Sequence, residues 1–156
     1  MRRILFALIV TLLINGCTEK GEDKVFLLPK DFIGYAVILY NQSDGSEMQY
    51  INEDKRLFEI PPSRVLKTKF KADYGRTSFP DFYYESISDQ NRIPLVIDAV
   101  EYSEGDVNAS MPNIGKVYPE DKEIEPTEYS IFFIGTKEDI ERASKEVAKI
   151  DILELI

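Results

Sequence analysis

Residues 34–40, Gly-Tyr-Ala-Val-Ile-Leu-Tyr, constrain the fold more than any other stretch. Side chains of a strand alternate between its two faces. Read that way, Tyr35, Val37 and Leu39 point to one side, and Ala36, Ile38 and Tyr40 to the other. A strand apolar on both faces belongs inside a layered structure, covered above and below, and not on its rim. Whatever surrounds it must supply two apolar layers.

Further strands are legible on either side. Val25–Pro29 reads as a short strand stopped by proline. Asp44-Gly45 predicts a hairpin turn, with Met48–Ile51 as the returning strand. Phe58 and Ile60 share a face, with Arg56 beside them, before Pro61-Pro62 breaks the pattern. In 64–70, Leu66, Thr68 and Phe70 face inward and Lys67 and Lys69 outward, as in a half-buried antiparallel strand. Residues 81–86 and 94–102 are further candidates; in the latter Leu95, Ile97 and Ala99 oppose Val96, Val100 and Tyr102. Ser103–Pro126 is the longest irregular region, with one short strand expected around Lys116–Tyr118.

The last segment changes character. Tyr129–Gly135 reads as a buried strand, and Thr136 as a helix N-cap with Asp139 completing a capping-box variant. Ile140, Ala143, Ser144 and Val147 then fall on one helical face. Residues 150–156 read as a closing strand, which would give a right-handed crossover if the flanking strands are parallel.

The amino end has a different logic. Arg2 and Arg3 precede an apolar run, Ile4–Ile14. That run is too short to cross a bilayer, which takes about 20 apolar residues. It fits the apolar region of an export signal. The chain's one cysteine, Cys17, follows Gly16 directly after it. Ile14-Asn15-Gly16-Cys17 resembles the lipobox of bacterial lipoproteins, with Asn15 departing from the usual small or apolar residue. The resemblance implies cleavage between Gly16 and Cys17 and acylation of the Cys17 thiol, a thiolate being the nucleophile. Several acyl chains hold far better than one, at about 0.8 kcal/mol per buried CH₂. The domain plan is a signal over 1–16, a lipidated cysteine and flexible tether over 17–24, and one domain over 25–156. A lone thiol forms no intrachain bridge, so a core of ordinary size must hold the domain.

Charge narrows the partners. The net charge is −9, and loss of Arg2 and Arg3 with the signal takes it to about −11. No basic footprint exists for nucleic acid, and anionic headgroups are disfavoured, so membrane attachment rests on N-terminal acyl chains. There is no histidine. That excludes Ser-His-Asp and Cys-His catalysis and histidine-ligated zinc. Neither a cofactor nor a metal is expected. Asn41–Glu47 lacks the EF-hand spacing and reads as a turn, and the carboxylates of Pro119–Glu128 read as a solvated loop. Phe79, Phe82, Tyr83 and Tyr84 are the candidates for an aromatic platform, of which Phe82, Tyr83 and Tyr84 stand as binding residues; core filling is the competing reading. No catalytic residue is assigned.

The order Leu28-Pro29, Phe32, Gly34, Asn41-Gln42, Asp44-Gly45, Ile60-Pro61 and Tyr74-Gly75 resembles a family of small lipoproteins of Bacteroidota-type bacteria. Where that pattern has a glycine after Pro61, this chain has Pro62-Ser63. The strand order also resembles transthyretin- or immunoglobulin-like modules, a likeness of fold that implies no chemistry. The expected fold is therefore mainly β (α+β): an antiparallel β-sandwich with one C-terminal helix packed on a sheet. The expected role is a non-enzymatic, lipid-anchored envelope module, in the outer membrane by the residue after Cys17, with the acidic tether loosely similar to surface-export signals. Its partner would be an envelope protein or a glycan. The alternatives are an inhibitor or immunity lipoprotein against a basic toxin or hydrolase, and a carboxylate-based hydrolase.

Overall fold

A computed structural model describes residues 20–97, 105–121 and 123–156. The strands are β1 (Asp23–Leu28), β2 (Gly34–Leu39), β3 (Gln49–Ile51), β4 (Lys55–Glu59), β5 (Val65–Lys67), β6 (Asp81–Tyr84), β7 (Arg92–Ile93), β8 (Leu95–Val96), β9 (Asn108–Ser110), β10 (Asn113–Val117) and β11 (Thr127–Gly135). One helix, α1 (Lys137–Val147), follows, and Ile152–Leu155 forms a 3₁₀ turn.

Two sheets face each other. One runs β3-β4-β1-β6-β7, the other β5-β2-β11-β9-β8, with β10 also paired to β11. The core between them draws Phe26, Leu28, Phe58 and Phe82 from the first and Ala36, Ile38, Phe132 and Ile134 from the second. Phe26 stacks on Phe58 and Phe82 at 5.1 and 4.9 Å between ring centroids, and Phe132 meets it from across the gap at 4.9 Å. β2 lies between β5 and β11, as its doubly apolar sequence requires. Its second face, Val37 and Leu39, is covered by Ile150, Ile152 and Leu155, and α1 packs against both β2 and β11. The sandwich therefore carries a third, thin layer.

The sheets are mixed and not antiparallel as expected. β1 is parallel to β4 and β6, β2 to β5, and β8 to β9. The reason is the path: β1, β3–β4 and β6–β7 lie in one sheet, and β2, β5 and β8–β11 in the other. Neighbours such as β1 and β4 or β2 and β5 are therefore not consecutive in the chain, and no tight turn obliges them to run oppositely; short connections, as at β3–β4 and β6–β7, give antiparallel pairs. The strand at 64–70 has the expected inward residues, since Leu66, Thr68 and Phe70 are buried, but its direction is parallel.

The Asp44-Gly45 turn is not a hairpin, because the strands on its two sides belong to different sheets. The turn instead lies on β5: Ser46 N–H donates to Lys67 O at 2.9 Å and Lys69 N–H to Ser46 O at 3.1 Å. A Cβ on Gly45 would sit 2.6 Å from the Thr68 backbone nitrogen, so glycine serves close approach there, and its φ is not positive. The real hairpin joins β3 to β4 through Asn52 and Glu53, both at positive φ (52° and 67°), as a primed turn requires.

Other boundaries moved as well. Of the expected 94–102 strand, β8 is the part seen among the described residues, with Pro94 separating it from β7; Ala99, Val100 and Tyr102 lie outside the described residues. The region 103–126 contains β9 and β10. The expected closing strand is the 3₁₀ turn, in which Asp151 accepts from Leu153 N–H at 2.9 Å. The turn brings Ile152 and Leu155 onto the same cluster. The helix start is as read: Thr136 caps it, with Asp139 completing the box. Within the range expected as a tether, 17–24, β1 begins at Asp23 and Gly21 N–H donates to Arg76 O at 2.9 Å; residues 17–19 lie outside the described residues.

Candidate binding surface

β2 delivers Tyr40 and Asn41 to one end of the sandwich. Tyr40 N–H donates to Glu128 O (2.9 Å) and Asn41 N–H to Phe70 O (2.7 Å), which fixes three chain segments against one another. Above Tyr40 opens a polar cleft of about 500 Å³, walled by Gln42, Lys71, Lys116 and Glu125–Glu128. A smaller cleft of about 280 Å³ shares Tyr40 and is lined by Lys24, Asp73, Tyr74, Met111 and Ile114.

Between the two clefts stands a trio. Tyr74 Oη donates to Glu128 Oε1 at 2.9 Å, Lys116 Nζ lies 2.8 Å from the same oxygen, and the Lys116 ammonium sits 5.4 Å from the Tyr74 ring centre. The Lys116 hydrogen bond holds the Glu128 carboxyl below its usual range, against some burial. Burial, then Glu128, pushes the Tyr74 phenol up. Burial pushes Tyr40 up to about 12. Near neutral pH these groups are a carboxylate, an ammonium and two protonated phenols. They offer charge and hydrogen bonds to a ligand.

Beneath lies a charged support. Arg56 Nε and Nη2 both reach Glu22 Oε2 at 2.6 Å, its Nη1 donates to Lys71 O at 2.6 Å, and the guanidinium lies 4.9 Å from the Phe70 ring centre. Asp73 accepts from Glu22 N–H (2.7 Å) and Gly75 N–H (2.9 Å), with Lys24 Nζ at 3.8 Å. Burial opposes the charge on Asp73, but those two N–H donors, with Lys24 and Arg56, keep its carboxyl below the ordinary value. Paired charges of this kind fix geometry more than they stabilise.

The residues singled out in sequence scatter. Phe82 is fully buried in the sandwich core. Tyr84 Oη donates to Phe32 O at 2.9 Å, and burial, then Asp31, pushes its phenol up to about 12. Tyr83 is half-buried on the alternate face of β6. Phe79 is 64% exposed and precedes β6. Asp44 pairs with Lys67 at 3.1 Å, and Glu47 with Lys69. In the acidic loop, Glu120, Asp121, Glu123 and Glu125 are exposed, whereas Glu128 turns into the cleft. Gly16 and Cys17 lie outside the described residues. Among the described residues, no three acidic or sulfur groups are placed to hold a metal, and no helix is long and apolar enough to cross a membrane. Sequence reading missed Tyr40, Lys71, Tyr74 and Lys116 as neighbours. They come from separate segments, and no spacing links them.

Comparison with known proteins gives fold and family. A solved structure, "Putative Lipoprotein from Bacillus anthracis", superposes with a TM-score of 0.50 over 79% of this chain and 76% of that one, at 14% identity. At that identity the likeness is one of fold. No curated protein matches the sequence significantly. Residues 20–141 match the model of the family of unknown function DUF6843, and the chain belongs to that family.

Proposed function

We propose that the protein is a lipid-anchored envelope module that binds a partner and performs no chemistry of its own. One observation carries the anchoring: the chain's one cysteine, Cys17, closes a short apolar run behind two arginines, three residues before the first described residue, Lys20. The neighbouring fold described as a lipoprotein supports it, as does the resemblance to Bacteroidota-type lipoproteins carried by Leu28-Pro29 through Tyr74-Gly75. The outer membrane, with or without surface exposure, is the location this reading assigns. Binding without catalysis is supported by the cleft, whose carboxylate and phenols are set away from proton transfer near neutral pH. An envelope protein or a glycan suits its mixture of lysine, tyrosine and carboxylate. Labelled palmitate should enter the wild type and be absent from Cys17→Ala. Equal labelling of both would remove the anchor.

A second reading has its own observation. Tyr118 and Ile124, 71% and 57% exposed, stand among Glu120, Asp121, Glu123 and Glu125 on one loop. Aromatic and apolar anchors within a negative patch suit capture of a basic protein, with the rate of association falling as salt rises. Neutralising the four carboxylates to amides would then slow capture of a basic partner from solubilised envelope, whereas Lys116→Ala would spare it.

A further inference from the structure

The domain is fastened almost at its first described residue. Lys20 pairs with Arg76 in a parallel bridge, Gly21 N–H donates to Arg76 O, and Ser78 N–H donates to Asp23 Oδ1 at 2.7 Å. A Cβ on Gly21 would lie 2.7 Å from Thr77 Cγ2, so the chain is pressed flat against this segment. Only Thr18 and Glu19 separate Lys20 from Cys17. Three Cα–Cα steps reach about 11 Å at full stretch. A domain held by acyl chains on Cys17 therefore has little freedom to stand off the bilayer.

The same end of the first sheet carries an apolar patch. β1, β4 and β6 all start there, being parallel, and antiparallel β7 returns Pro94 and the following residues to it. Phe79 and Ile97, 64% and 58% exposed, flank a cleft of about 430 Å³ floored by Pro80 and Ile93. Lys20, Arg76 and Arg92 are exposed around it. Among the described residues, Asp81 beside it is engaged with Arg92 (2.6 Å) and Lys55 (3.9 Å), and Asp23 with Ser78. Large apolar side chains ringed by cations are what a membrane interface accepts.

We infer that this patch sits in the interface of the membrane that holds the anchor, with Phe79 and Ile97 at the headgroup–acyl boundary, Lys20 and Arg76 among the phosphates, and Arg92 held on Asp81. The inference rests on lipidation of Cys17. It names the membrane as the occupant because so short a linker keeps this end of the domain close to it.

The chain has no tryptophan, so Phe79→Trp makes a single reporter in the full-length lipidated protein. Ile87→Trp, beyond the far end of β6 and also exposed, is the control. Each is reconstituted in phosphatidylethanolamine–phosphatidylglycerol vesicles containing brominated phosphatidylcholine, with palmitate labelling measured on the same sample. The expected result is quenching of Phe79→Trp at least about twofold greater than that of Ile87→Trp, because bromine quenches only at contact within the interface. A labelled protein with equal quenching at both positions overturns the docking and leaves the anchor standing. Absence of label overturns both. A blue shift that follows protein concentration and ignores bromine overturns it too, in favour of a second copy. A blue-shifted, unquenched emission already present in detergent means that the protein's own chain covers the patch, and it overturns the inference as well.

Discussion

The second sheet has two apolar faces that were built differently. Toward the first sheet it meets a continuous aromatic seam, Phe26, Phe58, Phe82 and Phe132, all fully or almost fully buried. On its outer side Val37 and Leu39 are just as buried, but what covers them is half-exposed: Ile150, Leu155, one short helix and one 3₁₀ turn. The first face is held by two sheets that fix each other. The second is held by a lid about one side chain thick, whose position depends on a cap and a few contacts. The contrast implies that the seam sets global stability, and that the outer lid sets how easily the C-terminal part opens.

The sharpest way to break this contrast is to hollow the seam. Phe26→Ala removes a ring touching three others, and should cost about 3–5 kcal/mol in urea unfolding. A loss under about 1 kcal/mol would mean that the two faces do not differ as described. On the lid, Ile152→Ala should cost about 2 kcal/mol, the low end for such truncations because its surroundings can collapse. It should also raise amide exchange in α1 before β1 is affected. Thr136→Ala removes the N-cap oxygen that accepts from Asp139 N–H, and should cost about 1 kcal/mol, read as loss of helical ellipticity at lower denaturant than the sheet signal.

The smallest effect concerns acid. Asp73 has a folded pKa below its ordinary 3.8, so the folded protein binds fewer protons there than the unfolded chain. Its contribution is complete above the unfolded value and is lost as pH falls from about 4 through the lower folded value. Asp139, held down by Thr136 and Arg142, follows the same sign on the lid. Asp73→Asn should therefore lessen the fall in unfolding free energy between pH 7 and pH 3, and Asp139→Asn should lessen it for the helix alone. An unchanged acid limb in both variants would remove these carboxylates from the comparison.

Legibility in the sequence followed range. The assignment of Tyr35, Val37 and Leu39 to one face and Ala36, Ile38 and Tyr40 to the other was legible because it depends only on alternation. The Thr136–Asp139 cap was legible because both partners lie within one turn. Pairing was not: Asp44-Gly45 has the composition of a hairpin turn, but the turn reaches over to β5 and its flanking strands part company. The 150–156 segment fits a strand by composition, yet Asp151 and the Ile152–Leu155 spacing make it a turn once a surface exists to receive it. The trio of Tyr74, Lys116 and Glu128 left no trace in the sequence, since Lys116 and Glu128 meet only through the register of β10 on β11 and Tyr74 comes from the segment between β5 and β6.

What the sequence settled alone was local: strand faces, the helix and its cap, an apolar run ahead of a single cysteine, and the absence of histidine. These follow from the period of the backbone and from which side chains exist at all. Strand direction, the parallel pairing around β1, the polar clefts and the placing of Phe79 at the same end of the first sheet as Lys20 were decided only by tertiary packing. A chain that alternates between two sheets places its neighbours by where it returns, and no window of a few residues records that.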